Sequence, residues 1–146
     1  MQNKDIYIND LKDLEHFAFD FADLLRQKEK AVVYLHGDLG VGKTTLTRYI
    51  LGFLGWTDTV KSPTYSLVEP YEFKNIKAYH LDLYRIQDPQ ELYFMGLADL
   101  FENEALFFIE WPERLASLNV KPDIEITLAL DSSNQDARTL TWKTHD

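Results

Sequence analysis

The chain contains no cysteine. That single absence excludes disulfides, thiolate metal sites and cysteine nucleophiles, and it agrees with a reducing compartment. Arginine is scarce, at five of fifteen basic residues, and 24 acidic residues leave a formal net charge of -9. A protein that grips nucleic acid by itself carries a basic face. Any work on a nucleic acid is therefore expected to run through a partner; otherwise the charge serves solubility. No apolar run approaches the ~18 residues of a membrane span. The opening "MQNKDIYIND" has no apolar signal core. A cytoplasmic location with no membrane partner is the expectation. The four histidines show no paired spacing, so no zinc site is expected. Repeats, low-complexity tracts and linkers rich in Pro, Gly or Ser are also missing. The 146 residues, 45% hydrophobic and 14% aromatic, fit one domain over residues 1–146. A chain of this size buries roughly 68–70% of its unfolded surface and needs no staples.

What is present alternates between strand and helix patterns. "IYI" near residue 7 predicts a short strand, with Asn9 or Asp10 capping a helix behind it. Leu14, Phe17, Ala18, Phe21, Leu24 and Leu25 fall on one helical face. "AVVYL", residues 31 to 35, is apolar on both faces and predicts a fully buried strand. Leu46, Tyr49, Ile50, Phe53 and Leu54 form a second helical stripe that Gly55 can stop. "KSPTYS", residues 61 to 66, is turn or loop. "SLVEPYEF" and "IKAYHLDLY" flank "KN" as a hairpin. Residues 88 to 102 look helical with a break at Gly96. "ALFFIEW", residues 105 to 111, is another buried strand. "DIEITLAL" and "ARTLTW" form a second hairpin around "DSSNQD". The sum is an α/β fold whose mixed sheet contains antiparallel hairpins.

Between the first buried strand and the second helix lies "HGDLGVGKTT". Gly37, Gly42, Lys43 and Thr44 fit G-x-x-x-x-G-K-[ST] without departure. Glycines let backbone N–H groups turn inward to form a nest for phosphate oxygens. The loop from Asp38 through Leu39, Gly40, Val41 and Gly42, with Thr45 behind it, would wrap the phosphates. The helix start adds free N–H groups and the positive end of its dipole. Lys43 reaches the β- and γ-phosphates, and Thr44 offers its hydroxyl to Mg²⁺. The predicted ligand is a nucleoside triphosphate.

Magnesium also needs a carboxylate near Thr44, and hydrolysis needs a group that orients water. Asp82 in "YHLDLYR" and Glu110 in "LFFIEW" each end an apolar strand, and each is expected to emerge at a sheet edge. The residues alone do not divide the metal and water roles between them. A loop at Thr64 could sense a γ-phosphate, but an ordinary turn set by Pro63 is the favoured reading of these residues. Trp111 either packs near the nucleotide or anchors the core. Arg85 and Arg114 read more readily as surface ion-pair partners than as phosphate ligands. His36 reads as packing beside the loop and not as a base.

Taken together, "GDLGVGKTT", "SPTYSLVEPY", "HLDLYR" and "IEWPER" resemble the bacterial TsaE (YjeE) family, the ATPase subunit of tRNA threonylcarbamoyladenosine biosynthesis. The likeness runs from about Tyr34 to Arg114. It implies a P-loop NTPase-like three-layer domain that binds ATP and Mg²⁺. It implies that Lys43 and Thr44 hold phosphates and metal, that Asp82 assists the metal, and that Glu110 is the Walker B-type acid with a place in metal binding and catalysis. It also places Trp111 near the site and Thr64 in a switch-like segment. The implied activity is weak ATP hydrolysis by a subunit that is monomeric on its own. It serves a two-protein complex that transfers threonylcarbamoyl to adenosine 37 of tRNAs reading codons that start with A. ATP use resets that complex, and tRNA is met only through it.

Two other functions share the P-loop. A small-molecule kinase needs cationic groups clamping the transferred phosphoryl, and five dispersed arginines offer no such lid. A nucleotide-gated switch of GTPase type needs a guanine-reading acid after a strand, and none stands out.

Overall fold

The computed structural model describes residues 3–63 and 66–145. Thr64, the expected switch residue, lies outside them. Strand β1 (Asn3–Ile8) leads into helix α1 (Leu11–Leu25), then β2 (Ala31–His36) and α2 (Lys43–Leu54). A hairpin of β3 (Val68–Phe73) and β4 (Ile76–Asp82) follows, then short helices α3 (Gln90–Phe94) and α4 (Leu97–Leu100). Strand β5 (Leu106–Glu110), a 3-10 helix (Pro112–Leu118), β6 (Ile124–Leu130) and β7 (Arg138–Thr144) complete the order.

The sheet runs β1-β7-β6-β2-β5-β4-β3. Strands β6, β2, β5 and β4 are mutually parallel. The hairpins add antiparallel flanks, β3 on β4 at one end and β7 on β6 at the other. Strand β1 then pairs with β7, bringing the two ends of the described chain together. The expected mixed α/β sheet is therefore present.

Period-two alternation splits the buried strands between two cores. Val33, Leu35, Phe108, Ile124 and Ile126 face α1 and α2, where Phe17, Phe21, Leu46, Ile50 and Leu54 meet them. Val32, Tyr34, Leu81, Phe107 and Ile109 face the other way, against Leu92, Leu97 and Leu115. Helices on both faces make three layers. Strand β2 is buried on both sides because it is central, which is why "AVVYL" shows no alternation.

Local signals explain most boundaries. Asp10 caps α1 by accepting from the Asp13 backbone N–H at 3.0 Å. Gly55, at φ +122°, ends α2. Gly96, at φ +73°, separates α3 from α4 at the anticipated break. Two expectations need correction. Leu24 is 37% exposed, and Ala22 takes the inward place instead. Neither Asp82 nor Glu110 sits on an edge strand: both close interior parallel strands at their carboxyl ends. Among the described residues no helix is long and apolar enough to cross a membrane.

Candidate functional site

The same alternation that builds the core aims the site. In β5, Leu106 and Phe108 point toward α1 and α2, so the next residue in step, Glu110, does too. In β4, Ala78 sets that face, and His80 and Asp82 continue it. Parallel pairing then puts Asp82 directly beside Glu110. In open α/β sheets ligands bind in the crevice beyond the carboxyl ends of the strands. The glycine-rich loop leaves β2, the neighbour of β5, at that same end.

The loop must approach β6 closely. Gly37 has φ +145°, and a Cβ there would lie 2.5 Å from the Leu128 carbonyl oxygen and 2.8 Å from Val41 Cγ1. Only glycine fits. Asp38, Leu39 and Gly40 form an exposed rim, whereas Val41 turns into the core. Gly42, at φ +119°, is the N-cap of α2 and provides no side-chain cap. The N–H groups of the first turn, at Lys43, Thr44 and Thr45, lack intrahelical partners. Open N–H groups at a helix start with glycine in front of them suit an anion.

Lys43 is only 5% exposed. Its Nζ donates to the Gly37 carbonyl at 2.5 Å and stands 4.1 Å from the centre of the Trp111 ring. Burial lowers its pKa from the ordinary lysine value, and the carboxylates of Glu110, Asp82, Glu113 and Asp38 act against that shift. Thr44 Oγ1 donates to Glu110 Oε2 at 2.9 Å. Glu110 and Asp82 are 4% and 8% exposed. Burial raises the Asp82 carboxyl above the usual aspartate value; the Tyr84 backbone N–H opposes this at 3.1 Å, and the Glu110 charge reinforces it. Two acids, a hydroxyl and a lysine thus converge at one end of the loop.

Trp111 adopts a left-handed backbone, φ +60° and ψ +52°, an outlier for a bulky residue. This turn takes the chain from β5 into the 3-10 helix, which the sequence pattern did not reveal. It leaves the indole half-buried, over Lys43 and 4.9 Å from the Tyr84 ring. The indole also packs on the second core, as the core-anchor alternative for Trp111 expects. A narrow cleft of about 150 Å³ separates it from the Leu35–Asp38 turn. A larger one, about 590 Å³, opens on the other flank of the loop, beside Thr45 and the start of α1.

Among the described residues no cluster of three or more His, Asp and Glu side chains is built to hold a metal alone. Thr44, Asp82 and Glu110 nevertheless suit Mg²⁺, which takes few protein oxygens and completes its shell with water and substrate phosphate. The buried Lys43 and the Gly37 cradle suit the phosphates themselves. His36 closes β2 just before the loop, and its ring pairs with β6: Nε2 lies 2.8 Å from Glu125 Oε1. Arg114 Nε is buried without a hydrogen-bond partner.

Two residues escaped the sequence reading. Arg138 Nε donates to the Val41 carbonyl at 2.9 Å, propping the loop from β7; nothing local marks a pairing across 97 positions. His80 Nε2 lies 2.6 Å from Glu110 Oε2. Its signal was present, two residues before Asp82 and so on the same strand face, but a histidine inside an apolar strand reads as core.

A family model described as threonylcarbamoyl adenosine biosynthesis protein TsaE matches residues 8–140. The Haemophilus influenzae tRNA threonylcarbamoyladenosine biosynthesis protein TsaE is 44% identical over 134 residues, covering 90% of this chain and 84% of that protein. The Rickettsia bellii protein of the same name is 38% identical over 131 residues, 89% of each chain. The Bacillus subtilis one is 32% identical over 111 residues, 76% of this chain and 68% of that protein. The crystal structure of Bacillus subtilis YdiB superposes with a TM-score of 0.75 at 23% identity, over 98% of this chain and 86% of the other. At that identity the likeness shows the shared fold alone. Sequence and architecture together place this chain in the TsaE family.

Proposed function

We propose that this protein is a slow, Mg²⁺-dependent ATPase that serves tRNA threonylcarbamoyladenosine biosynthesis as an accessory subunit, acting as a single nucleotide-binding domain. The observation that carries the reading is Lys43, a nearly buried lysine held between the loop carbonyl of Gly37 and the Trp111 ring, beside a Thr44–Glu110 hydrogen bond. A buried ammonium with so little protein pairing is a poor structural element and a good phosphate ligand.

The residues divide the work as follows. Backbone N–H groups from Asp38 to Thr45 cradle the β- and γ-phosphates, and Lys43 adds a point charge that follows the γ-phosphoryl as charge builds. Thr44 and Asp82 would hold Mg²⁺, with Glu110 beside them. The metal, when bound, supplies charge neutralisation on the phosphate oxygens. Glu110 orients a water whose oxygen bonds to the γ-phosphorus. The bond from that phosphorus to the β,γ-bridging oxygen breaks, and ADP leaves with the electron pair. The proton of the water passes to inorganic phosphate.

The partner of this subunit is a two-protein threonylcarbamoyl transferase, which modifies adenosine 37 of tRNAs reading codons that start with A. ATP turnover resets that complex. The net charge of -9 fits a protein that meets tRNA only through it. Titration calorimetry of Mg-ATP tests the reading. The wild type should bind, and Lys43→Ala should bind about 10- to 100-fold more weakly, as for a lost hydrogen bond to a charged group. Equal affinities would remove the site.

A further inference from the structure

We infer that His80 is a positioning residue that locks the Glu110 carboxylate in the orientation hydrolysis needs. The inference rests on the ATPase reading above and extends it to a residue that does not touch the loop.

His80 is completely buried. Its neighbour in register on β5 is Phe108, also completely buried. An apolar side chain at this position would meet no desolvation penalty, whereas imidazole does unless both nitrogens find partners. They do not: Nδ1 is buried with no hydrogen-bond partner. Core filling therefore does not account for a histidine here. Among the described residues its one hydrogen bond is Nε2 to Glu110 Oε2 at 2.6 Å.

That contact has a defined direction. A carboxylate oxygen accepts, so Nε2 carries the proton, and it does so in either charge state of the ring. The role therefore needs no titration. Glu110 Oε2 accepts from Thr44 Oγ1 as well, at 2.9 Å. Two donors on one oxygen, from α2 and from β4, fix the rotation of the carboxylate about its last torsion, which is broad when left free. The Thr44 hydroxyl is fixed at the same time, its proton turned to Glu110 and its lone pairs left for the metal. Catalytic groups must be held within about 0.5 Å of productive geometry by neighbours that are themselves locked. His80 is locked by complete burial.

The prediction is a split between turnover and binding. Glutamine places an amide N–H near the Nε2 position, while asparagine places one near Nδ1, on the wrong side. His80→Asn should lower kcat about 10- to 100-fold, the usual effect of losing a supporting hydrogen bond behind a site ligand. Its affinity for Mg-ATP should stay within about 3-fold of wild type, because among the described residues His80 bonds to Glu110 and not to the loop that would bind the phosphates. His80→Gln should restore most of kcat. An asparagine variant that turns over like wild type would overturn the proposal. So would equal losses in both variants that follow their melting temperatures, since a structural role does not distinguish the two amides. Nitrogen NMR of the unsubstituted imidazole gives a second test that needs no folded His80 variant. Nε2 should be the protonated nitrogen, and its proton resonance should shift in Glu110→Gln. An unprotonated Nε2, or one indifferent to that change, would refute the lock. A wild type that binds no Mg-ATP would defeat the ATPase reading itself, and the NMR result would still decide the His80–Glu110 contact.

Discussion

Gly37→Ala puts the geometry of the loop to a quantitative test. The backbone there is left-handed at φ +145°, a region that costs an L side chain about 1–2 kcal/mol. The added Cβ would stand 2.5 Å from the Leu128 carbonyl oxygen and 2.8 Å from Val41 Cγ1. The Val41 side chain can swing aside. The Leu128 carbonyl cannot, because Leu128 is held in β6 opposite Leu140. Overpacking of this kind costs about 1–3 kcal/mol. The total is roughly 2–5 kcal/mol, a large part of the ~5–15 kcal/mol that holds a typical domain. At about 2–4 °C per kcal/mol, the melting temperature should fall by roughly 4 to 20 °C. Gly52→Ala is the matched control. Gly52 is exposed inside α2, and a Cβ there meets nothing within 4 Å. That change should stabilise by about 0.5–1 kcal/mol through helix propensity. Thermal and urea denaturation of both variants read the difference. A Gly37→Ala protein that melts with the wild type would show that the loop does not press on β6, and the cradle argued from that contact would fail.

Three further outcomes follow from the site and its surroundings. Glu110→Gln should bind Mg-ATP within a few-fold of wild type while kcat falls about 10²- to 10⁴-fold; undiminished single-turnover hydrolysis would take Glu110 out of the reaction. Trp111 fluorescence should change when nucleotide binds, because its ring lies over Lys43, and a flat signal alongside calorimetrically demonstrated binding would contradict that placement. Burial tends to raise the pKa of Glu125, but hydrogen bonds with His36 and His145 outweigh it and hold the folded value below the usual 4.5. The stability this group contributes is present above pH 4.5 and is lost as pH falls through the lower folded value. The stability gap between wild type and Glu125→Gln should therefore close as pH drops below 4.5, and a gap that stays constant would refute the sign.

The fold was readable where the signal is local. Two helical stripes, two hairpins and the doubly apolar "AVVYL" strand all appear where their periodicity places them. Leu24 was misread because a helical stripe wide enough to reach it runs past the contact with the sheet. The order of the strands was not readable, since β1 pairing with β7 joins positions such as Ile6 and Leu140 that carry no mutual mark. The site divides in the same way. Lys43 and Thr44 are legible because the glycine-rich loop and the helix start behind it are one continuous segment. Asp82 and Glu110 could be picked as strand-end acids, but their adjacency depends on the parallel pairing of β4 with β5. Arg138 and His80 act through contacts that only the assembled sheet creates.

The central claim is an ATP site whose turnover belongs to a tRNA-modifying assembly. Steady-state ATP hydrolysis by the purified chain, alone and then with the threonylcarbamoyl transferase pair and tRNA, tests it most directly. Slow turnover that rises when the partners are added, and that Lys43→Ala abolishes in both settings, is the predicted result. Turnover that is brisk alone and indifferent to the partners would contradict the account, even with the phosphate loop intact.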